Sequence, residues 1–116
     1  FELLEAARWT EYLKPNGKII TNIQQINPMP VIIGAAQYPE NLVEKMQAAG
    51  LDVDAFDALS LAEQAGSTKA VNIVLMGHLS RYFDFTEEEW LDAIEKSVPA
   101  KFLELNKTAF TLGRNA

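Results

Sequence analysis

The chain has no cysteine, a single histidine, and no apolar run approaching membrane length. Without a thiol it can form no disulfide and can offer no thiolate to an iron-sulfur cluster or a structural zinc site. One imidazole, His78, leaves little for metal ligation of any other kind. The longest apolar stretches fall far short of the ~20 residues that a spanning helix requires. The opening residues lack the basic start and apolar centre of a secretory leader. Cations are sparse as well: 10 Lys and Arg against 16 Asp and Glu give a net charge of -6, and the basic residues are scattered singly. A phosphate-tracking surface needs them clustered, so nucleic acid is excluded as a partner. The balance is that of a soluble, cytoplasmic protein with no membrane segment.

What the chain does have is apolar content, 48% of 116 residues, enough for the core of one domain or part of one. Its densest stretch is Ala70 to Phe83, read as a central helix. Val71, Ile73, Val74, Leu75 and Met76 are apolar on almost every side, which calls for cover from more than one direction. Gly77 costs about 1 kcal/mol against alanine within a helix. A backbone packed close to it would explain its place. Toward Phe83 the pattern relaxes into Leu79, Tyr82 and Phe83 beside polar residues, and that end should reach the surface.

In chain order, the spacing of Leu3, Leu4, Ala7, Tyr12 and Leu13 predicts a helix over 2–13, stopped by Lys14-Pro15-Asn16-Gly17. Lys18 to Ile23 is short and β-branched, a buried strand. Pro28, Pro30 and Pro39 forbid a continuous helix and allow an extended path, with a short edge strand over Pro30 to Gly34. A helix follows over Asn41 to Ala49, stopped at Gly50. Leu51 to Ala58 alternates apolar and acidic residues, a second definite strand. Ser60 and Glu63 have capping-box spacing for a short helix to Ala65 that stops at Gly66. Thr86 and Glu89 repeat that spacing, with Glu87, Glu88 and Glu89 in the first turn, where the helix dipole favours them. Trp90, Leu91, Ile94 and Val98 form that helix's inward face. After Pro99 a last helix runs to about Leu112, with Phe102, Leu105, Ala109 and Phe110 inward and Gly113 as its cap.

Helices alternating with strands, then a helical C-terminal section, indicate a layered α/β protein with a small mixed sheet of two to three strands flanked by helices. A sheet that small leaves edges and faces uncovered, since sheets usually have about 4 to 6 strands. The domain is therefore expected to be incomplete, its missing strands coming from upstream sequence or another chain. The start at Phe1, directly in a helical pattern, carries the same expectation.

Several patterns together resemble the C-terminal part of the gamma-type domain of 2-oxoacid:ferredoxin oxidoreductases, most closely the indolepyruvate branch and its beta subunit. They are Phe1-Glu2-x-x-Glu5-Ala6-x-Arg8-Trp9, the Gly17 turn with the strand ending at Asn22, and Asp57-Ala58 followed by Ala62 and Gly66. Ala70-Val71-Asn72-x-Val74 with Gly77 comes next, then Val98-Pro99-x-Lys101 and Glu104-x-Asn106-x-x-Ala109-Phe110-x-x-Gly113. The resemblance covers residues 1–116 as the C-terminal portion of a single domain, and the glycine-rich G-x-G-G-x-G loop that opens the family's domain does not occur here. It implies a share in oxidative decarboxylation of a 2-oxoacid, an aryl pyruvate such as indolepyruvate or a relative such as pyruvate, to an acyl-CoA with reduction of ferredoxin. Thiamine diphosphate, iron-sulfur clusters and coenzyme A are implied for the complete enzyme, held largely by other domains or by the partner alpha subunit. This chain would supply scaffold and subunit contacts, with ferredoxin an indirect partner. A non-enzymatic α/β module that dimerises through its sheet edge is the rival reading.

For site residues, Asn22 and Asp57 stand at strand ends, where open α/β sheets place ligand contacts. Each also has a plainer reading, Asn22 as the start of a turn and Asp57 as the cap of the segment before Ser60. Asn72, in the first turn of an apolar helix, faces a cofactor or partner or bonds a neighbouring loop. These three are the cofactor-binding candidates; no catalytic or metal residue is assigned. Asn106 reads as a structural hydrogen-bonder. His78 lacks an evident carboxylate or nucleophile partner and so reads as structural. Gln24, Gln25 and Pro28-Met29-Pro30 read as a connector, or as the lining of a docking groove.

Overall fold

The computed structural model describes residues 1–116 and divides into two compact units, Phe1–Phe56 and Asp57–Ala116. The first is α/β. Helix α1 (Leu3–Arg8) is followed by a 3-10 turn (Thr10–Tyr12) and strand β1 (Lys18–Asn22). Helices α2 (Met29–Ile32) and α3 (Leu42–Ala48) then lead to strand β2 (Asp52–Phe56). The strands pair in parallel, from Lys18 opposite Asp52 to Asn22 opposite Phe56. Parallel strands require a crossover, and α2 and α3 provide it. Leu3 and Ala6 of α1 and Leu42 and Met46 of α3 are buried with Ile19 of β1 in one apolar cluster. Burying each of the larger side chains contributes about 1.5–3 kcal/mol.

Both definite strands form where the β-branched and alternating patterns put them, within two residues at each end. The first helix is shorter than its apolar spacing implies. It stops at Trp9, and the Thr10 hydroxyl donates to the Ala7 carbonyl at 2.9 Å, a local bond that competes with helical pairing. The expected strand over Pro30–Gly34 is instead a single helical turn. Pro28 precedes α2 in an extended conformation and Pro30 lies in its first turn, where a missing N–H costs nothing. The turn ends at Gly34, whose φ is +79°. Turn chemistry overrides the β preference of Val31, Ile32 and Ile33, which have no strand neighbour to pair with. The sheet therefore has two strands.

The second unit is helical: α4 (Ala58–Ala65), a 3-10 turn (Thr68–Ala70), α5 (Val71–Ser80), α6 (Glu87–Ser97), a 3-10 turn (Ala100–Phe102) and α7 (Leu103–Arg114). Val74, Ala109 and Phe110 are fully buried between α5 and α7. A Cβ at Gly77 would overlap the Phe110 carbonyl oxygen, and one at Gly113 would overlap that of Val74. The two backbones are in contact there, as the position of Gly77 implied. Gly113 was expected to cap α7 but lies within it; the helix continues to Arg114 and is capped by Asn115. Its lack of a side chain serves the same close approach. Helix α5 ends at Ser80, three residues short of the predicted Phe83. The Ser80 hydroxyl turns back to the Gly77 carbonyl at 2.6 Å and accepts from Arg114 at 2.6 Å, tying α5 to α7.

Thr86 and Glu89 form the predicted capping box, at 3.2 and 2.7 Å. Ser60 and Glu63 do not. Asp57 is the cap of α4, its carboxylate accepting from the Ser60 amide, and Ser60 is already the third residue of the helix. Phe102, expected inward, lies in the 3-10 turn before α7 and is 44% exposed, with the Lys101 ammonium 4.9 Å from its ring centre.

Candidate functional site

The C-terminal ends of β1 and β2 are where the sequence placed ligand contacts. At the end of β1, Thr21 and Asn22 are buried polar residues and must be satisfied. The Thr21 hydroxyl donates to the Phe1 carbonyl at 3.0 Å, and the Asn22 amide N–H donates to the same oxygen at 3.0 Å. The Asn22 side chain donates to Gln24 Oε1 at 3.1 Å. These bonds fix the strand end against the segment that leads into α1. Ile23 N–H donates to the Phe56 carbonyl at 3.1 Å, continuing the ladder one residue beyond β1.

Asp57 follows β2 and is exposed, and its carboxylate is engaged in starting α4. Oδ2 accepts from the Ser60 hydroxyl at 2.6 Å and Oδ1 from the Ser60 amide at 3.0 Å. These two bonds, the hydroxyl's first, hold its pKa below the ordinary carboxylate value. Asn72 sits in the first turn of α5, exposed, and its side-chain amide makes no bond within the chain. Asp57 and Asn72 stand at the starts of different helices and share no hydrogen bond; Asn22 belongs to the other unit. Asn106 donates from Nδ2 to the Phe102 carbonyl at 2.8 Å, a local structural bond. His78 is buried, its ring nitrogens within 3.1 Å of the Arg81 guanidinium.

Sequence reasoning did not find the polar node around Glu2. This carboxylate accepts from the Leu4 and Glu5 amides at 3.1 and 3.2 Å, capping α1. It also accepts from the Ile26 amide at 3.1 Å and from the Tyr38 hydroxyl, which itself accepts from Leu4 N–H at 3.0 Å. Burial pushes the Glu2 carboxyl up, but the donated hydrogen bonds outweigh it and the net shift is downward. Burial and the adjacent carboxylate push the Tyr38 phenol up to about 12. Glutamate is not a favoured cap and its partners lie far along the chain, so no local pattern announces this node.

In the helical unit an open pocket of about 370 Å³ is lined by Phe85, Glu89, Trp90 and Ala93. Phe83, Phe85 and Phe110 pack around the Trp90 ring, whose Nε1 is buried without a partner. No group of three or more His, Asp or Glu side chains is arranged to hold a metal ion. The two carboxylate–hydroxyl pairs described, Asp57 with Ser60 and Glu2 with Tyr38, lie at the caps of α4 and α1.

All of residues 1–116 match the family described as pyruvate ferredoxin/flavodoxin oxidoreductase. The chain belongs to that family. Among curated proteins it is 40% identical to the indolepyruvate oxidoreductase subunit IorB of Thermococcus kodakarensis, over 100% of this chain and 60% of that protein. It is 38% identical to the protein of the same name from Pyrococcus horikoshii, with the same coverage. Against that of Archaeoglobus fulgidus identity is 33%, over 98% of this chain and 59% of the relative. The chain thus spans about 60% of the length of the curated relatives it matches. No solved structure matches it.

Of the cofactors that the resemblance implies, iron-sulfur clusters and thiamine diphosphate lack in this chain the groups that would hold them. With no cysteine there is no thiolate set for an iron-sulfur cluster. Thiamine diphosphate needs an anion cradle, but no glycine-rich loop follows either strand, and β2 runs directly into the ionised Asp57.

Proposed function

We propose that residues 1–116 form the C-terminal part of one gamma-type domain in a subunit of a 2-oxoacid:ferredoxin oxidoreductase that acts on indolepyruvate or a related aryl pyruvate. The complete enzyme would decarboxylate the 2-oxoacid oxidatively to an acyl-CoA and pass the electrons to ferredoxin. Thiamine diphosphate and the iron-sulfur clusters would reside in other domains or in the alpha subunit, and this chain would contribute scaffold and subunit contacts. The observation that carries the reading is the match over the whole chain to the family, joined to identities of 33 to 40% with proteins named indolepyruvate oxidoreductase subunit.

Of the candidate site residues, we assign Asn22 and Asp57 to shaping the strand end and the start of α4, where their polar groups are engaged. Asn72, exposed and with its amide free, is the contact available to a cofactor or partner outside this chain. The exposed carboxylate of Asp57 would repel a phosphate; a hydroxyl group is what it suits.

The test is reconstitution of the full-length protein with its companion alpha subunit, following indolepyruvate- and coenzyme A-dependent reduction of ferredoxin. Activity should require both proteins. Turnover by this subunit alone, or a reconstituted complex that reduces ferredoxin with pyruvate and ignores aryl pyruvates, would refute the assignment.

A further inference from the structure

Strand β1 has a second edge, opposite β2. In a parallel ladder successive residues send their backbone groups to alternate edges. Ile23 N–H donates to the Phe56 carbonyl and so faces β2, whereas Asn22 N–H donates at 3.0 Å to the Phe1 carbonyl on the opposite side. By that alternation the N–H and C=O of Ile20 face the same outer edge as Asn22. Ile20 is 8% exposed, and no group of the chain bonds its backbone at that edge. Buried backbone groups are nearly always paired, so the edge calls for another strand.

Two observations identify the occupant. Phe1 to Leu3 run alongside β1 in its own direction: the Phe1 carbonyl meets Asn22, Leu3 N–H then donates to the Gln24 carbonyl at 3.4 Å, and Glu2 between them is extended, with φ -70° and ψ 154°. The backbone at Phe1 is therefore already aligned along the outer edge, parallel to β1. The second observation is the place of α1. Leu3 and Ala6 of α1 and Leu42 and Met46 of α3 share one cluster with Ile19, so both helices cover the same face of the sheet. Helix α3 belongs to the crossover from β1 to β2. Right-handed crossovers that step across a sheet in one direction put their helices on one face, so α1 stands where the crossover from a preceding strand into β1 belongs. Residues 3–17 supply the roughly dozen positions that a parallel connection needs. The curated relatives, about 60% of which this chain spans, are long enough to contain such a strand.

We propose that the residues immediately upstream of Phe1 in the full-length protein form a strand parallel to β1 on its outer edge, with α1 in the crossover between the two. Phe1 then lies beside Thr21, its N–H donating to the Ile20 carbonyl, and Ile20 N–H donates to the carbonyl two residues before Phe1. A strand from a second copy or from a companion subunit would have to enter an edge that Phe1 already occupies at one end, and it leaves the position of α1 unexplained. The three strands then follow chain order across the sheet without a topological switch point, the place where open α/β sheets bind ligands. Any ligand crevice of this sheet accordingly lies outside residues 1–56, in keeping with the local roles of Asn22 and Asp57. The pairing holds whatever reaction the complete enzyme performs.

The experiment uses the full-length protein without its companion subunit. Amide exchange followed by NMR should show Ile20 N–H protected roughly a hundredfold or more over its unfolded rate, equally in dilute and concentrated solution. In the proposed register Lys18 lies beside the residue three positions before Phe1. Lys18→Cys combined with a cysteine at that position should therefore close a disulfide within one chain on mild oxidation, and a cysteine one position further upstream, on the other face of the sheet, should not. An unprotected Ile20 amide, or a disulfide that forms only between two chains or not at all, overturns the proposal. Protection that rises with protein concentration gives the edge to a second copy, and protection that arises only on adding the alpha subunit gives it to that subunit; either result overturns the proposal as well. Should the double variant fail to fold, exchange in the unaltered protein decides alone. None of these outcomes touches the oxidoreductase assignment, whose own test is reconstitution.

Discussion

Gly77 and Gly113 carry the tightest steric demand in the chain, since each gives its missing side chain to a carbonyl oxygen on the opposite helix. Gly77→Ala or Gly113→Ala in the full-length protein must push α5 and α7 apart. Either is expected to cost about 1–3 kcal/mol, the scale of overpacking in a dense core, read as a lower Tm. Alanine is the better helix former, so a raised Tm would refute the close contact. The Glu2–Tyr38 pair predicts a pH response. Glu2 is depressed, so its contribution is present above the unfolded value near 4.5 and is lost as pH falls below it. Tyr38 is raised to about 12 from 10, so its contribution is present below pH 10 and is lost as pH rises through that window. Tyr38→Phe should flatten both limbs of the Tm-against-pH curve relative to wild type; an unchanged curve would show that the pair contributes nothing.

At the scale of the element, local signals decided most outcomes and lost where two of them competed. The Thr86–Glu89 box formed as its spacing dictates, and Thr86→Ala should cost about 1 kcal/mol through loss of the cap. Exchange of the first-turn amides of α6 should quicken correspondingly, and equal protection in the variant would argue that tertiary packing alone holds that end. The Ser60–Glu63 spacing was equally regular yet idle, because Asp57 capped the helix first. Residues 30–34 carry a β-branched run but became a helical turn, since two prolines set the geometry and no neighbouring strand was there to reward extension. The close fit at Gly77 could be read from the sequence because a glycine inside a strongly apolar helix is costly without a reason. Gly113 could not be told from an ordinary terminal cap.

At the scale of the whole molecule, two strands and a helical section are what 116 residues supply, and the relatives are longer. No helix is long and apolar enough to cross a membrane. If the chemistry belongs to companion domains, substitutions at Asn72 should leave this protein's own stability unchanged and show themselves only in the assembled oxidoreductase. Asn72→Asp, which places charge at an exposed position, is expected to raise KM or weaken assembly severalfold with Tm within a degree of wild type. A fully active, normally assembled variant would remove Asn72 from the site.

The sequence by itself determined the α/β class, both strands, the helices other than α2, and the family. These depend on periodicity and on short-range chemistry, which neighbouring residues carry. Only the tertiary structure decided that Glu2 gathers Ile26 and Tyr38 onto one carboxylate and that Gly113 meets the backbone of Val74. Each of those joins residues more than 20 positions apart, and a partner at that distance leaves no trace in the local pattern of a single chain.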